Sequence, residues 1–232
     1  MIGIIGAMEI EIEGIRSLMT EKEEKTISGV KYVIGKLGKN TVVTAVCGIG
    51  KVFAAICAQT MILTFNPEII VNTGVAGSID ASLKVFDIAV ANKVVQHDMD
   101  TSPIGDPKGL LSGINVIYMD ADEKASTLLV QLVKEAGINA VRGAIASGDQ
   151  FIASKGQKDA IKADFPDAVA CEMEGASIGQ VCYVNKVKFA VLRAISDNAD
   201  GDAIEDYPAF AKKTAENYVG IMARFAQEYE IG

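Results

Sequence analysis

The chain has 232 residues, half of them hydrophobic and 22% charged, with a formal net charge of −8. That composition is globular, and the length suits one α/β domain spanning residues 1–232 with a sizeable core. The acidic balance argues against a nucleic-acid partner, because phosphate contacts require clustered Lys and Arg, and no apolar stretch is long enough to span a bilayer.

The first apolar run, residues 2–5, reads as a strand. It lacks a basic leader, and Glu9, Glu11 and Glu13 follow at once, so a signal peptide is not expected and a cytoplasmic location is. A helix is predicted over about 8–19, where Met8, Ile12, Ile15 and Met19 form an apolar stripe. Glu11 falls on that inward stripe, whereas Glu9 and Glu13 can turn to the polar side. Two readings of Glu11 stay open: complementing the helix dipole, or facing a site.

A strand at 42–46 leads through Gly48-Ile49-Gly50-Lys51 into a helix over 51–65. The glycine turn lacks Walker A spacing and the Ser or Thr after lysine, so it reads as a tight strand-to-helix connection. Strands follow at 69–71 and 88–90, and the stretch 98–118, with Pro103 and Pro107, reads as a long irregular loop of the kind used as a lid or an interface. Helices are predicted at 122–136, 155–163, 174–184 and 207–229, and strands at 141–146 and 190–195. Continuous Val, Ile and Ala in the strands point to burial on both faces.

Four cysteines without a CxxC pair, and His97 as the single histidine, leave neither a zinc site nor a Ser-His-Asp triad well provided for; buried, reduced thiols are expected. The chemistry lies elsewhere. Apolar runs end in Gly6-Ala7-Met8-Glu9, Asn72-Thr73-Gly74-Val75-Ala76-Gly77, Ser147-Gly148-Asp149, Cys171-Glu172-Met173-Glu174 and Ile195-Ser196-Asp197. Ligands of open α/β sheets bind beyond the carboxyl ends of the strands, so these ends suggest one acidic pocket. If extended, Glu172 and Glu174 share a face opposite Met173; if a helix starts there, they complement its N-terminus. Asp197 suits an N-cap. Arg193 within an apolar strand requires a carboxylate partner. Phe151 and Tyr207, taken singly, are expected in the core.

Taken together and in order, Gly3-Ile4-Ile5-Gly6-Ala7-Met8-Glu9-x-Glu11, Gly48-Ile49-Gly50-Lys51-Val52, the Asn72–Gly77 segment, Ser147-Gly148-Asp149-Gln150-Phe151-Ile152, Glu172-Met173-Glu174-Gly175-Ala176 and Arg193-Ala194-Ile195-Ser196-Asp197 closely resemble the bacterial 5′-methylthioadenosine/S-adenosylhomocysteine nucleosidases of the nucleoside phosphorylase superfamily. The resemblance covers essentially the whole chain. It implies a three-layer α/β/α sandwich with a mixed central sheet, and a homodimer in which the loop after His97 reaches the neighbouring pocket. It also implies a small nucleoside substrate with neither metal nor cofactor.

By that resemblance Glu11 activates the attacking water, and Asp197, held by Ser196, protonates adenine N7. Glu174 binds the ribose hydroxyls, Met173 packs on the sugar, Phe151 stacks on the base and the Ile152 backbone meets its edge. Glu172, Gly77 and Val75 join the substrate-binding set, and Tyr207 lines the alkylthio end. Val75 stands where many relatives carry serine, and Ile10 where a third glutamate is common. His97 suits either interface work or a structural hydrogen bond. The chemistry asks for such a set: an oxocarbenium-like sugar is stabilised by nearby carboxylate, and adenine leaves readily once protonated. A phosphorylase of the same superfamily and a non-catalytic nucleoside binder remain as alternatives. Asn72, in place of an arginine, disfavours the first; three acids together disfavour the second.

Overall fold

The computed structural model describes residues 1–197 and 207–231, without the side chains of 207–217. Among the described residues ten strands and six α-helices follow in the order β1 (Ile2–Gly6), α1 (Glu9–Leu18), β2 (Thr20–Ile27), β3 (Val30–Leu37), β4 (Asn40–Val46), α2 (Lys51–Phe65), β5 (Ile69–Ser78), β6 (Ile88–Gln96), β7 (Tyr118–Asp120), α3 (Glu123–Glu135), β8 (Ala140–Ser147), α4 (Lys155–Asp164), β9 (Ala168–Glu172), α5 (Gly175–Asn185), β10 (Lys188–Asp197) and α6 (Tyr207–Glu228). All six predicted helices form, with ends shifted by a residue or two. Asp122 and Ser154 cap α3 and α4 by accepting from Ala125 and Gln157 N–H, while Asn66 and Lys186 end α2 and α5 in left-handed conformation.

The strands form one mixed sheet in the order β10-β6-β8-β9-β5-β1-β4-β3-β2, with β7 beside β6. A further parallel pairing of β10 with β5 closes β5, β10, β6, β8 and β9 into a ring, from which β1, β4, β3 and β2 extend. Successive residues of β1 face opposite layers. Ile4 packs with Ile12, Leu129 and Phe225 of α1, α3 and α6, and Ile5 with Cys57, Met61 and Ile178 of α2 and α5. This is the expected three-layer α/β/α sandwich.

The six predicted strands are present, but β2, β3, β7 and β9 were not among them. β2 is TEKEEKTI, exposed along nearly its whole length, and carries no apolar period to read. The segment from Asn72 to Gly77, expected as a turn, lies inside β5, which runs on past Gly74 to pair antiparallel with β9 at Gly77 and Ser78. The stretch 98–118 is irregular as expected, with a short 3₁₀ turn at Ser102–Ile104. All four cysteines are free and buried. Among the described residues no helix is long and apolar enough to cross a membrane.

Helices α1 and α6 meet at Gly14, where an added Cβ would sit 2.4 Å from Val219 Cγ2; at Gly220 it would meet nothing within 4 Å. Gly14→Ala is therefore expected to destabilise by roughly 1–3 kcal/mol through overpacking, and Gly220→Ala to stabilise by about 0.5–1 kcal/mol through helix propensity. Urea unfolding of the two variants beside the parent reads both signs.

Candidate active site

A cavity of about 380 Å³ opens where the strand ends converge, a size suited to a small molecule. Its walls come from Ala7, Met8 and Glu11 after β1, Ile49 before α2, Val75–Gly77 of β5, Gln150–Ile152 after β8, Cys171–Glu174 around the end of β9, and Ser196 and Asp197 of β10. Thus Glu11, Val75, Gly77, Phe151, Ile152, Glu172, Met173, Glu174, Ser196 and Asp197 are brought together as the sequence predicts. Tyr207 opens α6, and its side chain lies outside the described residues, as do Asn198 and Asp200.

Glu11 resolves its two readings by serving both. Its Oε2 reaches back to accept from Ala7 N–H at 2.7 Å and Met8 N–H at 3.0 Å, satisfying donors at the start of α1. Its Oε1 lies over Gly74, where an added Cβ would sit only 2.7 Å away and would also collide with Arg193 Nη1. A bare Cα is what lets carboxylate and guanidinium converge there. Burial pushes the Glu11 pKa up; Arg193 and the amides of Met8, Ala7 and Val75 pull against it, and the result stays above the usual value.

Arg193 is 1% exposed, and its Nη2 finds the carboxylate its burial demands, while Nε has no hydrogen-bond partner among the described residues. It donates through Nη2 to Glu172 and to Asn72 Oδ1, and lies 3.5 Å from Glu174 Oε2. Asn72 is fixed in turn by donating to the Ile5 carbonyl at 2.9 Å. Burial opposes the guanidinium charge, but Glu172, Glu174 and Glu11 together hold its pKa up.

Glu172 ends β9 and α5 begins at Gly175, so the helix-start reading holds for this acidic pair. Glu172 Oε2 accepts from the N–H groups of Glu174 (3.0 Å) and Gly175 (2.8 Å), and its Oε1 accepts from Ser147 Oγ. A substrate contact was expected of Glu172; its oxygens are engaged within the protein. Glu174 accepts from Gly50 N–H at 2.9 Å. Burial, then the Glu172 charge, push Glu174 up to about 7.

At the end of β10, Ser196 Oγ lies 2.6 Å from Asp197 Oδ2, and both residues are buried. Phe151 corrects the expectation of a core aromatic: it is 61% exposed at the cavity wall, while Ile152 is buried beside it. His97 does not line the cavity. Its Nε2 is buried against Gly148 and has no hydrogen-bond partner among the described residues. The sequence did not mark Ala7, Met8, Ile49, Ala76, Gln150 and Cys171 as lining residues, although each lies within a motif it singled out. Ile49, flanked by glycines and 56% exposed, had the clearest signal.

A family model described as the phosphorylase superfamily matches residues 1–229. The 5′-methylthioadenosine/S-adenosylhomocysteine nucleosidase of Staphylococcus carnosus (strain TM300) is 41% identical over 217 residues, covering 94% of this chain and 95% of that protein. Among solved structures, futalosine hydrolase of Helicobacter pylori strain 26695 is similar with a TM-score of 0.92 and 37% identity, over 98% of this chain and 97% of that one. S-adenosylhomocysteine nucleosidase from Streptococcus pyogenes, in complex with 5-methylthiotubericidin, reaches a TM-score of 0.94 at 32% identity, over 99% of this chain and 97% of that one.

Removing the guanidinium leaves buried carboxylates without their partner. Arg193→Leu is expected to cost roughly 3–5 kcal/mol in unfolding experiments at neutral pH. Adding Glu172→Gln should recover part of that loss, because it removes one of the stranded charges.

Proposed function

The chain belongs to the phosphorylase superfamily, and we infer that it hydrolyses the N-glycosidic bond of 5′-methylthioadenosine and S-adenosylhomocysteine, releasing adenine and the 5′-thio-substituted ribose. The observation that carries this reading is the convergence of Glu11, Glu174, Asp197 and Phe151 on one cavity. Phe151 stacks on adenine and the Ile152 backbone meets the base edge. Glu174 binds the ribose hydroxyls, with Met173, Val75 and Gly77 packed around the sugar and Tyr207 at the alkylthio end. Water bonds to C1′ as the bond from C1′ to N9 breaks. Glu11 Oε1 takes the water proton, and the electrons of the broken bond pass to adenine, which accepts a proton at N7 from Asp197, steadied by Ser196. Burial suits Glu11 to the base role, since a raised pKa makes a carboxylate a stronger proton acceptor.

Water rather than phosphate is the nucleophile. Position 72 is asparagine, and the buried cation, Arg193, is engaged by Glu172, Asn72 and Glu174. The described residues lining the cavity include no Lys, Arg or His, so an anionic nucleophile finds no free counter-charge there. The similarity to a futalosine hydrolase brings larger 5′-substituents within the reading. The enzyme acts on this reading in the cytoplasm, in methionine salvage.

The active form is a homodimer. Val52, Phe53, Ile56 and Leu63 of α2, with Tyr183 and Val184 of α5, leave an apolar face exposed, and Ile49 at the cavity wall continues it. A patch of this kind is a recognition surface. A second copy suits it, because covering the face also covers the Ile49 wall, with the loop after His97 crossing to the neighbouring pocket.

Adenine release from both thio-nucleosides and from futalosine, measured with and without phosphate, tests the reading. Release in phosphate-free buffer with a free reducing sugar is expected; release solely with phosphate would make the enzyme a phosphorylase. Glu11→Gln and Asp197→Asn should each lower kcat by ~10²–10⁴-fold while ligand binding persists. The kcat/KM profile should fall on acidification through a pKa above the ordinary carboxylate range, because Glu11 must be deprotonated to accept a proton. Phe53→Asp should give monomers by light scattering, with reduced turnover.

A further inference from the structure

Helix α2 starts without a cap of its own. Gly50 at the N-cap has no side chain to accept from the first-turn amides, and no acid occupies that turn. The donors are satisfied from distant parts of the chain: Gly50 N–H by Glu174 Oε1 at 2.9 Å and Lys51 N–H by Asp149 Oδ1 at 2.7 Å. The helix dipole favours both carboxylates at that end. The turn can reach them because Gly48 and Gly50 take φ of 88° and 103°, which side chains disfavour.

Lys51 fastens this turn on every side. Its carbonyl accepts from Ser177 Oγ of α5 at 2.6 Å. Its ammonium donates to Asp98 Oδ1 at 2.7 Å and Gln96 Oε1 at 3.1 Å, at the end of β6. Asp98 Oδ2 accepts from Asp149 N–H at 2.8 Å, which closes the circuit. The Lys51 and Asp98 side chains are 19% and 18% exposed, so solvent screens this pair less than an ordinary surface bridge.

We propose that Lys51 is a positioning residue for ribose recognition: by locking the 48–51 turn to Asp98, Gln96 and Ser177, it fixes where the Gly50 N–H meets Glu174, and thereby where that carboxylate points into the cavity. The proposal rests on the nucleoside reading of the cavity. Lys51 itself does not line it. Its effect passes through one hydrogen bond to an ionisable acceptor, and it falls on the sugar side of the ligand rather than on the base.

The test separates those two sides. In Lys51→Met the KM for 5′-methylthioadenosine should rise about tenfold, the scale of one weakened charge-assisted hydrogen bond, while the inhibition constant of free adenine, which lacks the sugar, stays unchanged. Lys51→Arg, which keeps a cation for Asp98, should restore most of the loss. A parallel loss of adenine affinity would assign Lys51 to the Phe151 loop or to general stability and overturn the proposal, as would an unchanged KM. Should Lys51→Met not fold, Ser177→Ala loosens the same turn by removing the hydrogen bond to the Lys51 carbonyl, without touching Asp149, and should show the same split in smaller measure; no split there also overturns it. A parent enzyme releasing no adenine would instead remove the nucleoside reading itself.

Discussion

Burying the Arg193 guanidinium strips it of water at a cost of several kcal/mol, and the centre of the molecule is arranged to offset that cost. Glu172 supplies the nearest counter-charge, Asn72 a neutral acceptor, and Glu174 and Glu11 a wider negative surround. The pairing register places Gly74 opposite Arg193 and Asn72 opposite Val191, so adjoining parallel strands deliver the cation, its acceptor and the gap above it. Each constraint propagates. Asn72 is anchored on β1, and Glu172 is anchored by Ser147 and the first amides of α5. The cation thus ties together β1, β5, β8, β9 and β10.

The same arrangement separates the acids by function. Glu172 is saturated with donors and holds the framework. Glu174 is held more lightly, by Gly50 N–H and the more distant Arg193, and Glu11 divides its oxygens between capping α1 and facing Gly74. Burial away from water disfavours the charged form of both Glu11 and Glu174, and at Glu174 the Glu172 charge adds to it, which is why the two hold their protons to higher pH than they would in water. A group so tuned can exchange protons with a reacting molecule, whereas the saturated one serves as scaffold.

Much of this was legible in the residues. The helices announced themselves by apolar spacing, and the buried strands by unbroken Val, Ile and Ala. Arg193 was readable from burial alone, because a cation in an apolar strand has to be paired. The failures share a cause, dependence on contacts that sequence distance hides. β9 reads merely as an apolar run until β8 and β5 are placed beside it. Phe151 looked like core because aromatics usually are; its exposure follows from its place on a loop after β8. Lys51 looked like the end of a glycine turn, and its partners Gln96 and Asp98 lie more than forty residues away.

The strand that was hardest to read also carries a consequence of its own. Closure of the ring by β10 and β5 leaves, among the described residues, the short β7 beside β6 and β2 at the end of the extension as the edge strands. Five of the eight residues of β2 are charged and nearly all are exposed. Unpaired backbone groups along such an edge invite another chain to add a strand, and a row of Glu and Lys makes that addition electrostatically and sterically unfavourable. At high protein concentration, with a net charge of −8 on each chain, the absence of apolar pattern in β2 opposes growth of the sheet between molecules.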